Sequence, residues 1–248
     1  MAFERELRDG IAYMAFNRPE KHNALRDEDL QGLIDALRWL DETDEAQIGI
    51  LHGRGRSFSS GADVAARLQA SMEEGSTDAR VNETEAFLDC VNWKPVIAAV
   101  HGYCLGHAMH TALQCDLVVA GRDTRFQVTE IRIGLPMTSL FDKLGNRAFA
   151  DEVALTGRMF TAEEARDAGM ISRLADIGEH VAQAEAIARA IMANPPSAVR
   201  EHVRIRRQVA HESTQRFMGM SAAFAAEWAR NAEAKSAVDS RASDLKAD

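Results

Sequence analysis

Apolar residues in this chain fall into two patterns. Short unbroken blocks occur at Ile48 to Leu51, Val96 to Val100 and Leu117 to Ala120, each closed by His or Gly. Blocks of that length read as buried strands. Gly10 to Pro19 (GIAYMAFNRP) reads as a further strand that stops at its proline, and residues 3 to 9 before it alternate and are charged. The second pattern is helical. Leu25, Leu30, Leu33, Ile34, Leu37 and Leu40 recur at three- and four-residue spacing after Asn23 and Ala24, and Ala108 to Leu113 reads as a helix between two of the apolar blocks.

The remaining segments fill in around these. Asp41 to Gln47 is an acidic solvated loop, and Gly53 to Asp63 is a loop with three glycines and two arginines, followed by a helix from Val64. Residues 70 to 80 are polar and read as a mobile loop, with a helix over about Val81 to Asn92 after it. Beyond Gly134, Leu140, Phe141 and Leu144 mark one helix and Glu152 to Leu155 another. Thr161 is placed to cap a helix whose first turn carries glutamates and which Gly169 stops, with a short strand at Met170 to Leu174. An amphipathic helix over Glu179 to Ala193 ends at Pro195 and Pro196, a long helix begins near Ser197, another covers Thr214 to about Asn231, and the small polar tail is expected to fray. Strand–strand–helix units recur without detectable self-similarity. The pattern predicts an α/β core over residues 1–195 and a helical region over 196–248, whose apolar faces favour an oligomer.

Composition narrows the class. With 248 residues, 46% hydrophobic and 27% charged, the chain has the make-up of a soluble globular enzyme with ample core. A formal net charge of −9 argues against a general nucleic-acid or anionic-membrane binder, while leaving room for a local basic pocket. Cys90, Cys104 and Cys115 lack metal-ligand spacing and read as reduced core thiols of a cytoplasmic protein. Neither a signal peptide nor a membrane span is expected.

The chemistry concentrates between Lys94 and Pro136. There an apolar block leads through His101 and Gly102 to Gly106 and a helix, and Glu130 stands shortly before Gly134. Backbone donors at a glycine-to-helix junction, a titratable side chain one turn in and a nearby carboxylate are what enolate stabilisation and proton transfer require. His107 and His110 share a helix with metal-like spacing, but no fourth ligand accompanies Glu130, so no metal is expected. His101 reads as structural. Arg54 and Arg56 suit either phosphate contact or solvent, and the arginines from Arg200 to Arg207 read as a solvated helix face.

Several segments together resemble the crotonase superfamily of enoyl-CoA hydratases and isomerases: NRPEKHNAL near the start, FSSGADV (Phe58 to Val64), KPVIAAVHGYCLG with CDLVVAG, and LTGRMFTAEEARDAGMISRL. The resemblance covers roughly residues 3–230. It implies a spiral of ββα units with a C-terminal helical trimerisation region, assembly as a homotrimer or homohexamer, and an acyl-CoA thioester as substrate, with no cofactor beyond the coenzyme A that the substrate carries. It places an oxyanion hole at the backbone N–H groups of Ala62 and His107. Glu130 matches the second catalytic carboxylate, and His110 stands where hydratases carry their first glutamate, so that it reads either as a catalytic proton-transfer partner of Glu130 or as a pocket-lining residue. Residues His22, Ala24, Ser60, Ala62, Asp63, Val64 and Gly106 match positions that hold CoA or substrate. His107 replaces the usual glycine, and Gly134 to Gly145 is shorter than the glycine-rich segment usual there. The implied reaction is hydration of a 2-enoyl-CoA. Δ3,Δ2 isomerisation by Glu130 alone, decarboxylation and thioester hydrolysis are the alternatives, with non-catalytic acyl-CoA binding a remote one.

Overall fold

The computed structural model of the chain describes residues 3–63, 91–134 and 146–210. The expected helix start at Val64, the 70–80 loop, the helix through Leu140, Phe141 and Leu144, the helix over 214–231 and the tail lie outside those residues, as does Cys90. Of the helix expected up to Asn92, only Val91 and Asn92 are described, and neither is helical.

Among the described residues six strands form the main sheet: β1 (Phe3–Arg8), β2 (Ile11–Phe16), β3 (Ile48–Gly53), β4 (Val96–Val100), β6 (Leu117–Gly121) and β9 (Arg173–Ala175), in the order β1-β2-β3-β4-β6-β9. β1 and β2 are antiparallel, and every later pair is parallel. A smaller sheet joins β5 (Tyr103–Leu105), β7 (Arg125–Gln127) and β8 (Met159–Thr161) in the order β5-β7-β8. Each of β4 and β6 thus runs through a turn into a short strand of the second sheet. After β5 the chain enters α2 (His107–Gln114), which completes a strand–strand–helix unit.

The unbroken apolar blocks are explained by burial on both faces. One face of the main sheet presents Met14, Leu51, Ala98, Val100 and Ala120 to a core shared with α1 (Asp27–Glu42) and α2. The other presents Ile11, Ile48, Ile50, Ile97, Ala99 and Val119 to α5 (His180–Met192), whose Ala184 and Ala188 let it lie close. Helices α3 (Arg147–Thr156) and α4 (Ala162–Asp167) follow the second sheet. Thr161 caps α4 as expected: its hydroxyl accepts from Glu164 N at 3.2 Å while Glu164 Oε2 accepts from Thr161 N at 2.8 Å.

Some expectations change. The charged segment before Gly10 is the edge strand β1, with Phe3 and Leu7 packed on the core and Arg5 and Glu6 exposed. A charged edge strand is a common way to block unwanted pairing. The strand expected at Met170 to Leu174 forms at β9, because Met170 and Ile171 turn into the core first. At three residues each, β5, β7 and β8 are too short to show a period. The arginines near Arg200 are not all a solvated face. Residues 196–210 are helical, and Arg206 and Arg207 both bind Asp116, whose Oδ2 also accepts from Val96 N at 2.6 Å. Arg207 is 5% exposed, so this pair anchors the last described helix to the start of β4.

His52 on β3, His101 after β4 and His180 at the start of α5 are all buried, the last two stacked with ring centroids 4.3 Å apart. Burial first, and neighbouring positive charge second, pushes His52 and His180 down to about 4. An unfolded chain protonates these rings near 6.5. The stability they contribute as neutral rings is therefore complete above that pH and is lost as pH falls from there towards 4. Urea unfolding at pH 7.5 and 5 should show a loss on the order of 2 kcal/mol for each ring. His52→Leu should flatten the dependence; identical slopes for variant and wild type would place its source elsewhere.

Candidate active site

The site begins where the second sheet hands the chain to α2. After β5, Gly106 takes φ 49° and ψ −121°, a conformation closed to most L residues. A Cβ there would sit 2.1 Å from Thr129 Oγ1 and 3.0 Å from Glu130 Oε1. The missing side chain is what allows the Glu130 carboxylate to rest against the backbone at the start of α2. The Gly106 N–H donates to Gln127 O at 2.9 Å, which ties this junction to β7. His107 opens the helix, and N–H groups of a first turn must find their acceptors outside the helix.

Glu130 is the first residue of a short 3-10 turn (Glu130–Ile133) that ends at Gly134 in the left-handed region. Its Oε2 is buried and has no hydrogen-bond partner among the described residues. Burial raises its pKa above the ordinary carboxylate range, against the opposing pull of backbone N–H groups and of His107. A carboxyl so raised is better matched to proton exchange near neutral pH than an exposed one.

The loop from Gly53 to Asp63 closes over the same junction. At Gly61, with φ +92°, a Cβ would lie 2.7 Å from Leu105 O and 3.6 Å from His107 N. Ser59 bridges Cys104, and Ala62 bridges Leu25 in parallel register. In the second bridge Leu25 N donates to Gly61 O and Asp63 N donates to Leu25 O, both at 2.8 Å. Parallel pairing of that kind turns the N–H and C=O of Ala62 itself away from Leu25. The Gly61–Ala62 segment and the start of α2 at His107 thus lie in close contact.

The residues matched to CoA binding surround that contact. Ser60 N donates to His22 O at 2.9 Å. His22 has φ 47°, its Nδ1 is 3.0 Å from Ser57 Oγ, and its ring meets Tyr103 edge-on at 5.5 Å. Asp63 pairs with Arg18 at 2.7 Å, and the same guanidinium reaches Ala24 O at 3.4 Å. Val64 lies outside the described residues. Of the two loop arginines, Arg54 pairs with Glu4 at 3.0 Å with both half exposed, and Arg56 is exposed.

His110 lies one turn into α2, half-buried, with its ring centroid 6.0 Å from that of His107. Its Nε2 is 2.9 Å from Nε2 of Gln114. Among the described residues no group of three or more His, Cys, Asp or Glu is arranged to hold a metal, and no helix is long and apolar enough to cross a membrane.

Two residues that the sequence did not single out organise these loops. Asn23 is fully buried in the left-handed region, where asparagine is better tolerated than most residues. Its Oδ1 accepts from Arg18 N at 2.7 Å, and its amide donates to the carbonyls of Arg54, Ser57 and Phe58. Arg18 is the other, its guanidinium reaching both Asp63 and Ala24 O. A polar residue between NRP and the first helical leucine was the available signal for Asn23. Asn23→Ala would leave these buried groups unsatisfied and should lower stability by about 2–4 kcal/mol in denaturant titration. A change within about 0.5 kcal/mol would mean that the loops hold without it.

Comparison with known proteins identifies the family. Residues 6–242 match the sequence profile of the enoyl-CoA hydratase/isomerase family. The chain is 34% identical over 190 residues to "probable enoyl-CoA hydratase 1, peroxisomal" of Arabidopsis thaliana, covering 75% of this chain and 70% of that one. It is 28% identical over 181 residues to the mitochondrial Δ(3,5)-Δ(2,4)-dienoyl-CoA isomerase of Rattus norvegicus, covering 66% and 55%. A solved enoyl-CoA hydratase/isomerase from Pseudoalteromonas atlantica superposes with a TM-score of 0.86 over 98% of both chains at 27% identity.

Proposed function

Because the chain belongs to the enoyl-CoA hydratase/isomerase family and has its crotonase fold, we propose that it hydrates a 2-enoyl-CoA thioester between the Gly61–Asp63 loop and the start of α2. The observation that carries the reading is Glu130: a buried carboxylate with a raised pKa and an unpartnered oxygen among the described residues, held beside a helix N-terminus. In the proposed step Glu130 takes a proton from water as its oxygen bonds to C3 of the enoyl group. The C2=C3 electron pair moves towards the thioester, and the resulting enolate oxygen is held by the N–H groups of Ala62 and His107. The proton then passes to C2. His22, Ala24, Ser60, Asp63, Val64 and Gly106 are the proposed contacts to CoA and thioester. No cofactor beyond CoA takes part, and a homotrimer or homohexamer is the proposed assembly.

Isomerisation is the second reading. Glu130 alone can remove a proton from C2 of a 3-enoyl-CoA and return it at C4. His110 favours it, since an imidazole supplies no second carboxylate to grip a water with Glu130.

Crotonyl-CoA and a 3-enoyl-CoA separate the two readings. Loss of enoyl absorbance from the first indicates hydration, and its gain from the second indicates isomerisation. Glu130→Gln should lower either activity by ~100-fold or more, since the amide cannot accept the proton. The wild-type rate should fall as pH drops through the Glu130 pKa, which burial holds above the ordinary carboxylate value of 4.5. Full turnover by Glu130→Gln would overturn both readings.

A further inference from the structure

Gln114 is the last residue of α2, one turn beyond His110 and only 8% exposed. A buried carboxamide needs polar partners, and positions four apart on a helix face each other. Its Nε2 lies 2.9 Å from His110 Nε2. An amide nitrogen carries two hydrogens and offers no lone pair, so at this distance it donates and the ring nitrogen accepts. A ring that accepts at Nε2 carries its proton on Nδ1 and is neutral. To become imidazolium, His110 would need a second N–H aimed at the same amide nitrogen, donor against donor, until the carboxamide turned over.

We infer that Gln114 is a positioning residue that holds His110 neutral with its proton on Nδ1, so that His110 serves the site as a hydrogen-bond donor and leaves proton abstraction to Glu130. The inference rests on the proposed acyl-CoA reaction for its meaning, but its geometry is independent of substrate. The neighbourhood is consistent. His107 is one turn away on the same helix, and Thr111 Oγ1 is occupied by His107 O at 3.0 Å. The Glu130 carboxylate lies against Gly106 at the head of the helix. The arrangement assigns the two titratable side chains different tasks: Glu130 exchanges the proton, and His110 orients.

The test reads the ring nitrogens directly. Histidine-selective 15N labelling of the full-length protein at pH 7.5, with His110 assigned by comparison with His110→Gln, should show Nδ1 protonated and Nε2 bare. Gln114→Met keeps the side-chain volume but removes the donor. It should move His110 towards the Nε2–H form that a free histidine favours. It should also lower kcat on the enoyl-CoA by about tenfold with KM within about twofold, the signature of a transition-state contact misplaced while binding persists. A wild-type His110 protonated on Nε2, or a pattern that Gln114→Met leaves unchanged, overturns the inference. The wild-type spectrum decides even if the variant fails to fold. A protein inert towards both enoyl-CoA substrates but carrying Nδ1–H on His110 would sink the proposed reaction and still support the hold by Gln114.

Discussion

A Cβ at position 106 would occupy the space that Thr129 Oγ1 and Glu130 Oε1 now fill, at 2.1 and 3.0 Å. Through that one vacancy the 3-10 turn carrying Glu130 approaches the backbone at the start of α2, and the hydrogen bond from Gly106 to Gln127 holds the two strands behind it together. Two effects then act on the carboxyl in opposite directions. The positive end of a helix favours the anion and burial disfavours it. Burial is the larger, and the pKa rises. The result is a carboxyl less acidic than an exposed one yet placed where its anion is still tolerated, the condition for giving and taking a proton within one cycle.

What keeps the surrounding loops in register is polar, in contrast to the apolar sheet behind them. Asn23 joins the segment at Arg18 to the carbonyls of Arg54, Ser57 and Phe58, and Arg18 in turn reaches Asp63. These bonds replace the ladder that the loops lack, and because the groups are buried their loss is expensive. Exposed pairs such as Arg122 with Asp176 add little by comparison, since water screens them. The same distinction applies at the far side of the sheet. There the buried Arg207 pairs with Asp116 and so fixes the last described helix against β4.

His107 and His110 are the two histidines at the head of α2. His107 opens α2 and His110 lies one turn further on, and the two stand in different surroundings. His107 lies close enough to Glu130 to lower its pKa against the larger effect of burial, while His110 is engaged by Gln114 four residues on. A carboxylate in place of His110 would bring a second negative charge to the site. A neutral ring brings a directional donor instead, and changes which proton transfers the site can share between two groups.

The sequence by itself determined a good deal. Unbroken apolar blocks at Ile48, Val96 and Leu117 read as strands buried on both faces, because four or five residues make a strand but are too few for a buried helix. Leucines at helical spacing gave α1, and Thr161 with Glu164 gave the start of α4, since caps and periods are local properties. Motifs marked Glu130, His107 and Ala62 as candidates for the site. Only the tertiary structure decided that Gly61 lies against Leu105 and His107, that Glu130 rests on Gly106, and that the Asn23 amide binds the loops. Each of these depends on groups distant in the chain meeting within a few ångströms. The strands β5, β7 and β8 escaped notice for the same reason. Three residues are too few to show a period, and they become strands only because the neighbours that complete their hydrogen bonds arrive from elsewhere in the fold.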